Sequence, residues 1–442
     1  MPMLESLESR VHLTAVTGDT TFGKAGTARL DFYVPRGQRA YANQAVVDNA
    51  GRTYVVARLI EVDRGYDGAT RSYQIERLTT NGKPDTAWAV GKGGRLKFDW
   101  TGRGVVGNSY NDHPERFRVA IDPSDRLLVL DGTSVRRFDS RGRPDRSFGN
   151  RGTAVLTGFR QTADLTTDSA GRPLVVGTAP RAHLPRLGVA RLTTGGDFDA
   201  KFARNGVYVA PEFGSIAHPD GYGDGQQTSG IDGEFLRVLD DGSVIAAGGG
   251  ISKINVPAPE FTGGFDEEWD DGVQAVKLTA RGRPDRSYGV AGFAESLGYT
   301  YFNTANTAVV GIRPDGAVVA SSYFDTQNAS GGDDFFDFNN LLKPDQTGRV
   351  TDDTILELTP TKPGTYPNAA VFVDFIGPAS GPYLTLADGK VFRQSARGKF
   401  DQTFNDGKLL AAGAIDAGPQ GTLITADVGR STDELIVRRF IV

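Results

Sequence analysis

A twelve-residue segment that occurs twice limits what this chain can fold into more than any other feature. It reads RGRPDRSFGNRG from Arg141 to Gly152 and returns as RGRPDRSYGVAG from Arg281 to Gly292. Six copies share an Asp followed three positions later by an aromatic residue, and five of them have a Gly three positions before the Asp. The pairs are Asp19 and Phe22, Asp85 and Trp88, Asp145 and Phe148, Asp199 and Phe202, Asp285 and Tyr288, and Asp401 and Phe404. Repetition of this kind indicates a repeat architecture.

A second motif lies upstream of each copy, a hairpin of the form apolar–Asp–x–Gly–apolar. It occurs seven times, for example as QAVVDNAGRTYVVARL and VLDDGSVIAAGG. The longest interval, between Asp285 and Asp401, contains two of these hairpins, so we expect a degenerate copy of the aromatic turn within Ile355–Phe375. Seven hairpins and seven aromatic turns then agree in number.

Each repeat reads as four short strands, and the 57 glycines supply the many tight turns that an all-β chain needs. The sequence therefore predicts a seven-bladed β-propeller of four-stranded blades over residues 17–442, after an N-terminal extension over residues 1–16. The C-terminal ELIVRRFIV has the pattern of a third strand without its fourth, and the N-terminal TARLDFYV can provide it. Pairing of the two ends would close the ring and remove its open edges.

The residues of the aromatic turn have clear structural uses. Gly permits the left-handed backbone of a tight turn, and Pro144 and Pro284 preset its φ angle. The Asp accepts backbone N–H bonds from its own turn, and the aromatic ring is large enough to wedge between neighbouring blades. The Asp and the aromatic residue recur in six repeats of the predicted ring, so we interpret them as structural rather than catalytic.

The combination of aromatic turn and hairpin resembles the delta-60 repeat family, whose units read roughly R-L-x-x-x-G-x-x-D-x-S-F-G-x-x-G. The resemblance covers nearly the whole chain. It implies a β-propeller-like fold and a bacterial surface or exported protein, and it implies no reaction.

The N-terminal segment LESLESRVHLTA, Leu4–Ala15, resembles the short L-E-P-R-x-L-L-S-A element found near the start of exported proteins of planctomycete-type bacteria. Leu7, Glu8, Arg10, Leu13 and Ala15 match it, whereas Ser9 and His12 depart from it. The segment lacks the basic region and the apolar core of a signal peptide, so a frayed extension is the alternative interpretation.

The long insertions all connect strands two and three of a blade or join one blade to the next, which places them on one face of the predicted ring. They are expected to be loops, at 60–72, 252–272, 323–353, 101–117 and 210–234. Repeat scaffolds collect insertions on their binding face, so we predict the functional surface there.

These insertions are rich in carboxylates and aromatic residues. The candidate ligands for a hard cation such as Ca²⁺ are Asp266, Glu268, Asp270, Asp271, Asp333, Asp334 and Asp337. The candidates for contact with an organic ligand are Trp269, Phe335, Phe336, Tyr222 and Asp224. The spacing matches no EF-hand, so a solvated acidic loop is the alternative to a calcium site. The aromatic residues would stack on sugar rings or pin the loops to the scaffold.

Other functions find little support in the sequence. The chain has no Cys, its four His residues show no ligand spacing, and G-x-S-x-G, phosphate-loop and HExxH motifs are absent. A formal charge of −5 without clustered Arg argues against nucleic acid, and no apolar run suits a membrane span.

We therefore predict a monomeric, exported or cell-surface β-propeller without a required cofactor that binds a glycan or a protein through its insertion-bearing face. Two alternatives stay open at this point. One is a carbohydrate-active hydrolase or lyase with carboxylates at the channel mouth, which requires a pair of acids with a raised pKa on one member. The other is a purely structural surface module.

Overall fold

The computed structural model describes residues 16–63, 66–90, 94–99, 117–180, 185–211, 228–231, 233–257, 265–297, 305–327, 333–342, 373–387, 389–397, 399–401, 403–431 and 433–442. Their regular structure is β-strand, apart from two short 3-10 helices at Phe404–Gly407 and Pro419–Gly421. The protein is therefore all-β, as the repeat predicts. No helix within these ranges is long and apolar enough to cross a membrane.

The strands, in chain order, are β1 (Thr17–Gly18), β2 (Thr27–Asp31), β3 (Gln38–Val47), β4 (Thr53–Asp63), β5 (Tyr66–Leu78), β6 (Arg95–Asp99), β7 (Arg118–Ile121), β8 (Leu127–Asp131), β9 (Ser134–Phe138), β10 (Thr153–Val155), β11 (Gln161–Thr167), β12 (Pro173–Pro180), β13 (Pro185–Arg191), β14 (Val207–Val209), β15 (Thr228–Ile231), β16 (Phe235–Val238), β17 (Val244–Pro257), β18 (Phe265–Leu278), β19 (Phe293–Leu297), β20 (Ala305–Ile312), β21 (Val318–Gln327), β22 (Asp333–Leu342), β23 (Val373–Ile376), β24 (Tyr383–Ala387), β25 (Lys390–Gln394), β26 (Leu410–Ala411), β27 (Ala414–Ala417), β28 (Thr422–Val428) and β29 (Glu434–Ile441).

These strands form antiparallel sheets that repeat along the chain. Four sheets have four strands each, β3–β6, β7–β10, β11–β14 and β23–β26. The β15–β19 sheet has five strands, and β20–β22 form a sheet of three among the described residues. The remaining five-stranded sheet combines β27–β29 with β1 and β2 from the other end of the chain.

The chain divides into two compact units. Unit one comprises residues 1–155, 169–171 and 374–442, and unit two comprises residues 156–168 and 172–373. Within each unit, successive sheets pack face to face as the blades of a β-propeller do. In unit one, Leu59 and Val437 belong to the same apolar cluster, and in unit two Val176 and Val276 share another.

The strand sequences explain this packing. The second strand of each blade is covered on both faces and reads as a continuous apolar run, as in the fully buried Leu127–Leu130 of β8. Outer strands alternate: in β6, Leu96 and Phe98 are buried while Lys97 between them is exposed. Alternation with a covered inner face fixes the register of the outer strands.

The two chain ends meet in one sheet. Strand β29 pairs with β28 on one edge and with β2 on the other, in the register Ala28 opposite Val437. Leu30 and Val437 are almost completely buried, so this contact between the ends is part of the apolar core of unit one.

Three of the predicted loops are instead continuations of strands. The segment 60–72 belongs to β4 and β5, 252–272 lies mainly in β17 and β18, and 323–342 lies mainly in β21 and β22. Strand β17 pairs with β18 from Val244 opposite Leu278 to Pro257 opposite Phe265. An antiparallel pair can continue past the body of a sheet because it satisfies its own backbone hydrogen bonds. The expectation of loops was wrong here, and we call these three extensions the ribbons.

Candidate functional site

The aromatic turn contains a buried cation that the sequence motif did not include. In the β7–β10 sheet, Arg137 donates from Nε to Asp145 Oδ2 at 2.8 Å, and its guanidinium lies 4.5 Å from the centroid of the Phe148 ring. Asp145 Oδ1 accepts the N–H and the hydroxyl of Ser147. Burial raises the pKa of Asp145, but the bonds from Ser147 and the charge of Arg137 outweigh it and hold that pKa below its usual value.

The cation–carboxylate pair recurs at every other recognisable copy of the turn. The cation–carboxylate pairs and their distances are Arg439–Asp19 (2.7 Å), Arg77–Asp85 (2.7 Å), Arg191–Asp199 (2.9 Å), Lys277–Asp285 (3.0 Å) and Arg393–Asp401 (2.7 Å). Three of these arginines also donate to a backbone carbonyl of the following sheet: Arg439 to Thr80, Arg77 to Ser140 and Arg191 to Ala280. Each of these three arginines therefore binds the Asp of its own turn and fastens that turn to the next repeat.

The Gly of the turn makes room for the aromatic ring of the preceding repeat. Gly142 has φ of 74°, and a Cβ placed there would lie 3.0 Å from Cε2 of Trp88 and 2.8 Å from the Ala89 nitrogen. Gly282 stands in the same relation to Phe202 in unit two. Ring, cation and Gly thus form one structural joint, and the twelve Asp and aromatic residues of the motif lie in these joints.

The Asp–x–Gly hairpins use their Asp in a comparable way. Asp122 is buried, accepts the N–H of Arg126 at 3.0 Å and receives Arg126 Nε at 2.7 Å. Asp168 makes the same pair of contacts with Arg172, whose guanidinium also reaches Asp199 of the aromatic turn at 3.3 Å. Arg172 therefore links the hairpin to the aromatic turn of the same repeat, and the role of these charged side chains is structural.

The candidate metal and ligand residues fall in two places. Asp266, Glu268, Trp269, Asp270 and Asp271 belong to β18, where Asp270 pairs with Ser252 and Trp269 with Lys253. Asp333, Asp334, Phe335, Phe336 and Asp337 belong to β22, where Asp334 pairs with Thr326. Tyr222 and Asp224 lie outside the described residues. Where side chains are described, no three His, Asp or Glu residues come together as a metal site.

A pair of carboxylates that the sequence motifs did not indicate lies on the first strands of neighbouring sheets in unit one. Asp416, in β27, is partly buried, and the exposed Asp374 lies in β23. Burial and, to a smaller extent, the negative charge of Asp374 raise the pKa of Asp416 to about 7, against the opposing effect of two backbone N–H donors. Those donors are Val47, at 2.7 Å from Oδ2, and Ala417, at 2.8 Å from Oδ1.

Polar side chains on other first strands also bind the backbone of a neighbouring sheet, so this contact by itself does not distinguish Asp416. Gln44 exchanges two hydrogen bonds with the backbone of Val119, each of 2.9 Å. In unit two, Asp164 Oδ2 accepts the N–H of Leu236 at 3.0 Å. Asp416 shares this fastening role, and it combines that role with a strongly raised pKa and an electrostatic interaction with a second carboxylate, Asp374.

Among the acids that the structure describes, Glu76 also has a pKa raised to about 7, again mainly through burial. It lies in β5 and forms an ion pair of 2.9 Å with Arg95 of the adjacent β6. Glu76 also interacts with a second acid, Asp31, but its carboxylate is paired with the Arg95 guanidinium, whereas no cation is among the groups that shift the pKa of Asp416. We therefore take the pair Asp374–Asp416 as the candidate site.

Comparisons with known proteins give no assignment by sequence, since no family model and no curated protein matches the chain. Among solved structures, polysaccharide lyase Uly1 aligns with a TM-score of 0.44 at 10% identity, covering 91% of this chain and 90% of that one. An alpha-L-arabinanase of Penicillium chrysogenum, complexed with arabinobiose, aligns with a TM-score of 0.37 at 11% identity, over 96% and 97% of the two chains. An endo-arabinase of Bacteroides thetaiotaomicron aligns with a TM-score of 0.28 at 13% identity, over 72% and 99%. Similarity at these scores supports no activity and no substrate for this chain.

Proposed function

We propose that this chain is a carbohydrate-active β-propeller enzyme that hydrolyses a polysaccharide with the carboxyl pair Asp416 and Asp374. The observation that carries the proposal is the pKa of about 7 at Asp416 beside the exposed carboxylate of Asp374. This is the alternative that the sequence left open, and the main prediction of a non-enzymatic scaffold becomes the second candidate.

The two acids divide the work of glycoside hydrolysis between them. A carboxyl group with a pKa near 7 is still protonated at neutral pH, so Asp416 would donate its proton to the oxygen of the leaving sugar. Asp374 is exposed to solvent and would act from the opposite side of the scissile bond, as base or as nucleophile. The two N–H groups of Val47 and Ala417 stabilise the carboxylate left on Asp416 after proton transfer.

The test is release of reducing ends from a panel of neutral and acidic polysaccharides, with three matched variants. Asp416→Asn and Asp374→Asn should each lower the rate by about 10²–10⁴-fold. Asp164→Asn is the control, because Asp164 fastens two first strands as Asp416 does, and it should retain activity. Inactivity of the wild-type protein on the whole panel, or an equal loss in all three variants, would refute the proposal.

A second candidate function is the scaffold that binds a glycan or protein ligand through its ribbons. It is favoured by the 14 register pairs that tie β17 to β18, since a paired ribbon presents its residues on a rigid element. Replacing residues 255–267 with Asn-Gly would shorten the ribbon and leave Ile254 opposite Glu268. The shortened protein should fold and lose its ligand, whereas shortening the β4–β5 ribbon should leave binding intact.

The remaining predictions of the sequence stay proposals of the same kind. We propose that the protein is a propeller of seven blades closed through β29 and β2, and that it is exported or displayed on the cell surface. A monomer that shows this ring in projection images would support the blade number, and six or eight blades would contradict it. Fractionation of the native host would test the location.

A further inference from the structure

A cationic cavity lies in unit one between the β3–β6 sheet and the β7–β10 sheet. It has a volume of about 180 Å³ and is built from β6, β9, β10 and the aromatic turn that joins β9 to β10. Its lining includes four cationic side chains and two phenyl rings, namely Lys97, Arg136, Arg137, Arg151, Phe98 and Phe138. None of these residues belongs to the strands that carry Asp374 and Asp416.

The charges around this cavity do not cancel. Arg137 pairs with Asp145, Arg136 with Asp131 and Lys97 with Asp99, each at 2.8 Å. Arg151 is exposed and forms no ion pair with any described carboxylate. The cavity therefore keeps one uncompensated guanidinium, and the paired side chains Lys97 and Arg136 are about half exposed and free to turn towards a ligand.

The fold does not require a cation at these positions. Arg151 has φ of 53°, and the equivalent positions of two other turns hold Ala25 at 51° and Ala291 at 53°. A small side chain thus satisfies the same backbone. The position of Lys97 in its outer strand is held by Val155 and Val209 in the next two repeats. Arg151 and Lys97 are therefore additions to the repeat, whereas Arg137 belongs to the joint that every recognisable copy contains.

The chemistry of the lining selects the ligand. Guanidinium and ammonium groups bind carboxylates and sulfates through charge-assisted hydrogen bonds, and Arg does so with two parallel donors. Phe98 and Phe138 meet edge to face at 6.0 Å and form an apolar floor under Arg136, whose guanidinium lies 5.6 Å from the Phe98 ring. The cavity is smaller than the roughly 300–1,000 Å³ of sites for drug-sized molecules, so it admits one sugar residue or one substituent.

We propose that this cavity binds one anionic group, a carboxylate or a sulfate ester, on the polysaccharide that the protein acts on. The identity of the ligand as a polysaccharide rests on the proposed function. The cavity would hold an acidic chain at the outer edges of two sheets, as a binding site separate from the carboxyl pair.

The test is calorimetric titration of the full chain with four probes: tetragalacturonate, a sulfated galactotetraose, uncharged galactotetraose and inorganic sulfate. The cavity variant combines Arg151→Ala with Lys97→Val, both of which introduce residues that the chain itself uses at equivalent positions. The control variant is Arg204→Ala, which removes an exposed cation from an aromatic turn of unit two.

We expect the wild-type protein to bind one of the two charged tetrasaccharides more tightly than the uncharged one. The cavity variant should lose about 10-fold or more of that affinity, the worth of one charge-assisted hydrogen bond, and Arg204→Ala should lose none. The preferred tetrasaccharide distinguishes carboxylate from sulfate, and binding of inorganic sulfate alone would place the specificity in the free ion and contradict the polymer site.

Three further results would overturn the proposal. They are absence of binding of both charged tetrasaccharides at millimolar concentration, equal affinity in wild type and cavity variant, and an equal loss in Arg204→Ala, which would indicate general charge attraction. Asp416→Asn should bind with wild-type affinity. Failure of hydrolysis and failure of this binding site are therefore separate outcomes.

Discussion

Replacement of Asp199 by Ala tests the structural role assigned to the repeated joint. Asp199 accepts two bonds of 2.9 Å from the guanidinium of Arg191, one of 3.3 Å from Arg172 and the N–H of Lys201. The Arg191 side chain is only 3% exposed, so the variant leaves a buried cation without its carboxylate. Removing one partner of a buried ion pair costs about 3–5 kcal/mol, and we expect a loss of unfolding free energy of that size.

The control is Asp139, an acid six residues before the aromatic-turn Asp145, whose partner is exposed. Asp139 pairs with Arg143, whose side chain is 64% exposed, and such pairs contribute about 1 kcal/mol or less. Asp139→Ala also removes two backbone N–H bonds of its turn, so we expect a total loss of about 1–2 kcal/mol. Asp199→Asn keeps the acceptor for Lys201 and isolates the effect of the lost charge.

The assay is equilibrium unfolding in urea, which does not screen charges, followed by tryptophan fluorescence. A lower midpoint with an unchanged slope reports a change in stability, and a changed slope would show that one unit unfolds separately. A loss for Asp199→Ala that stays within 1 kcal/mol of the loss for Asp139→Ala would refute the joint as a main source of stability.

Three other predictions follow from the same contacts. Gly282→Ala should lower the unfolding free energy by about 2–3 kcal/mol, because its Cβ would lie 2.6 Å from the Ala203 nitrogen. Gly37→Ala is the control: it has a φ of 81° and open space around it, so it should lose only the about 1–2 kcal/mol that follows from φ. Urea midpoints measure both losses. The pKa of Asp416 is raised from 3.8 to about 7, so between these pH values the native state holds a proton that the unfolded chain has lost. The unfolding free energy should therefore fall by at most about 4 kcal/mol as pH rises from 4 to 7. Asp416→Asn should remove this pH dependence. A calcium site on acidic β18 predicts a higher Tm in millimolar Ca²⁺ than in EDTA, and equal values would eliminate it.

The sequence predicts the strands and turns well because their causes are local. Turn Gly, Asp and aromatic ring act within a few residues of one another, and their spacing is visible in five of the six recognisable copies. Even the missed cation had a local signal: each copy from Asp85 onwards has an Arg or Lys eight residues before the Asp, and a closer alignment would have found it. The ribbons were missed because their Gly residues have the pattern of a turn although the strand continues through them, as β17 does through Gly248–Gly250.

The candidate acids could not be predicted in this way. Asp374 and Asp416 lie in different repeats, and the Val47 amide that binds Asp416 is 369 residues away along the chain. The raised pKa depends on burial between two first strands, which neither residue's neighbours in sequence determine. Only the folded sheets bring these groups together.

The repeats themselves indicate where function can lie in a protein of this construction. The cation–Asp pair recurs at six positions, and at five of them the cation also lies over the aromatic ring, so each copy is explained by the joint it makes and none needs a second task. A site for chemistry or binding must then be sought where one copy departs from the others. Asp416 departs by its neighbouring carboxylate, and Arg151 departs by a cation where other turns hold Ala25 and Ala291. Substitution of either by the residue of a sister repeat should leave the fold intact and remove only what that repeat has added.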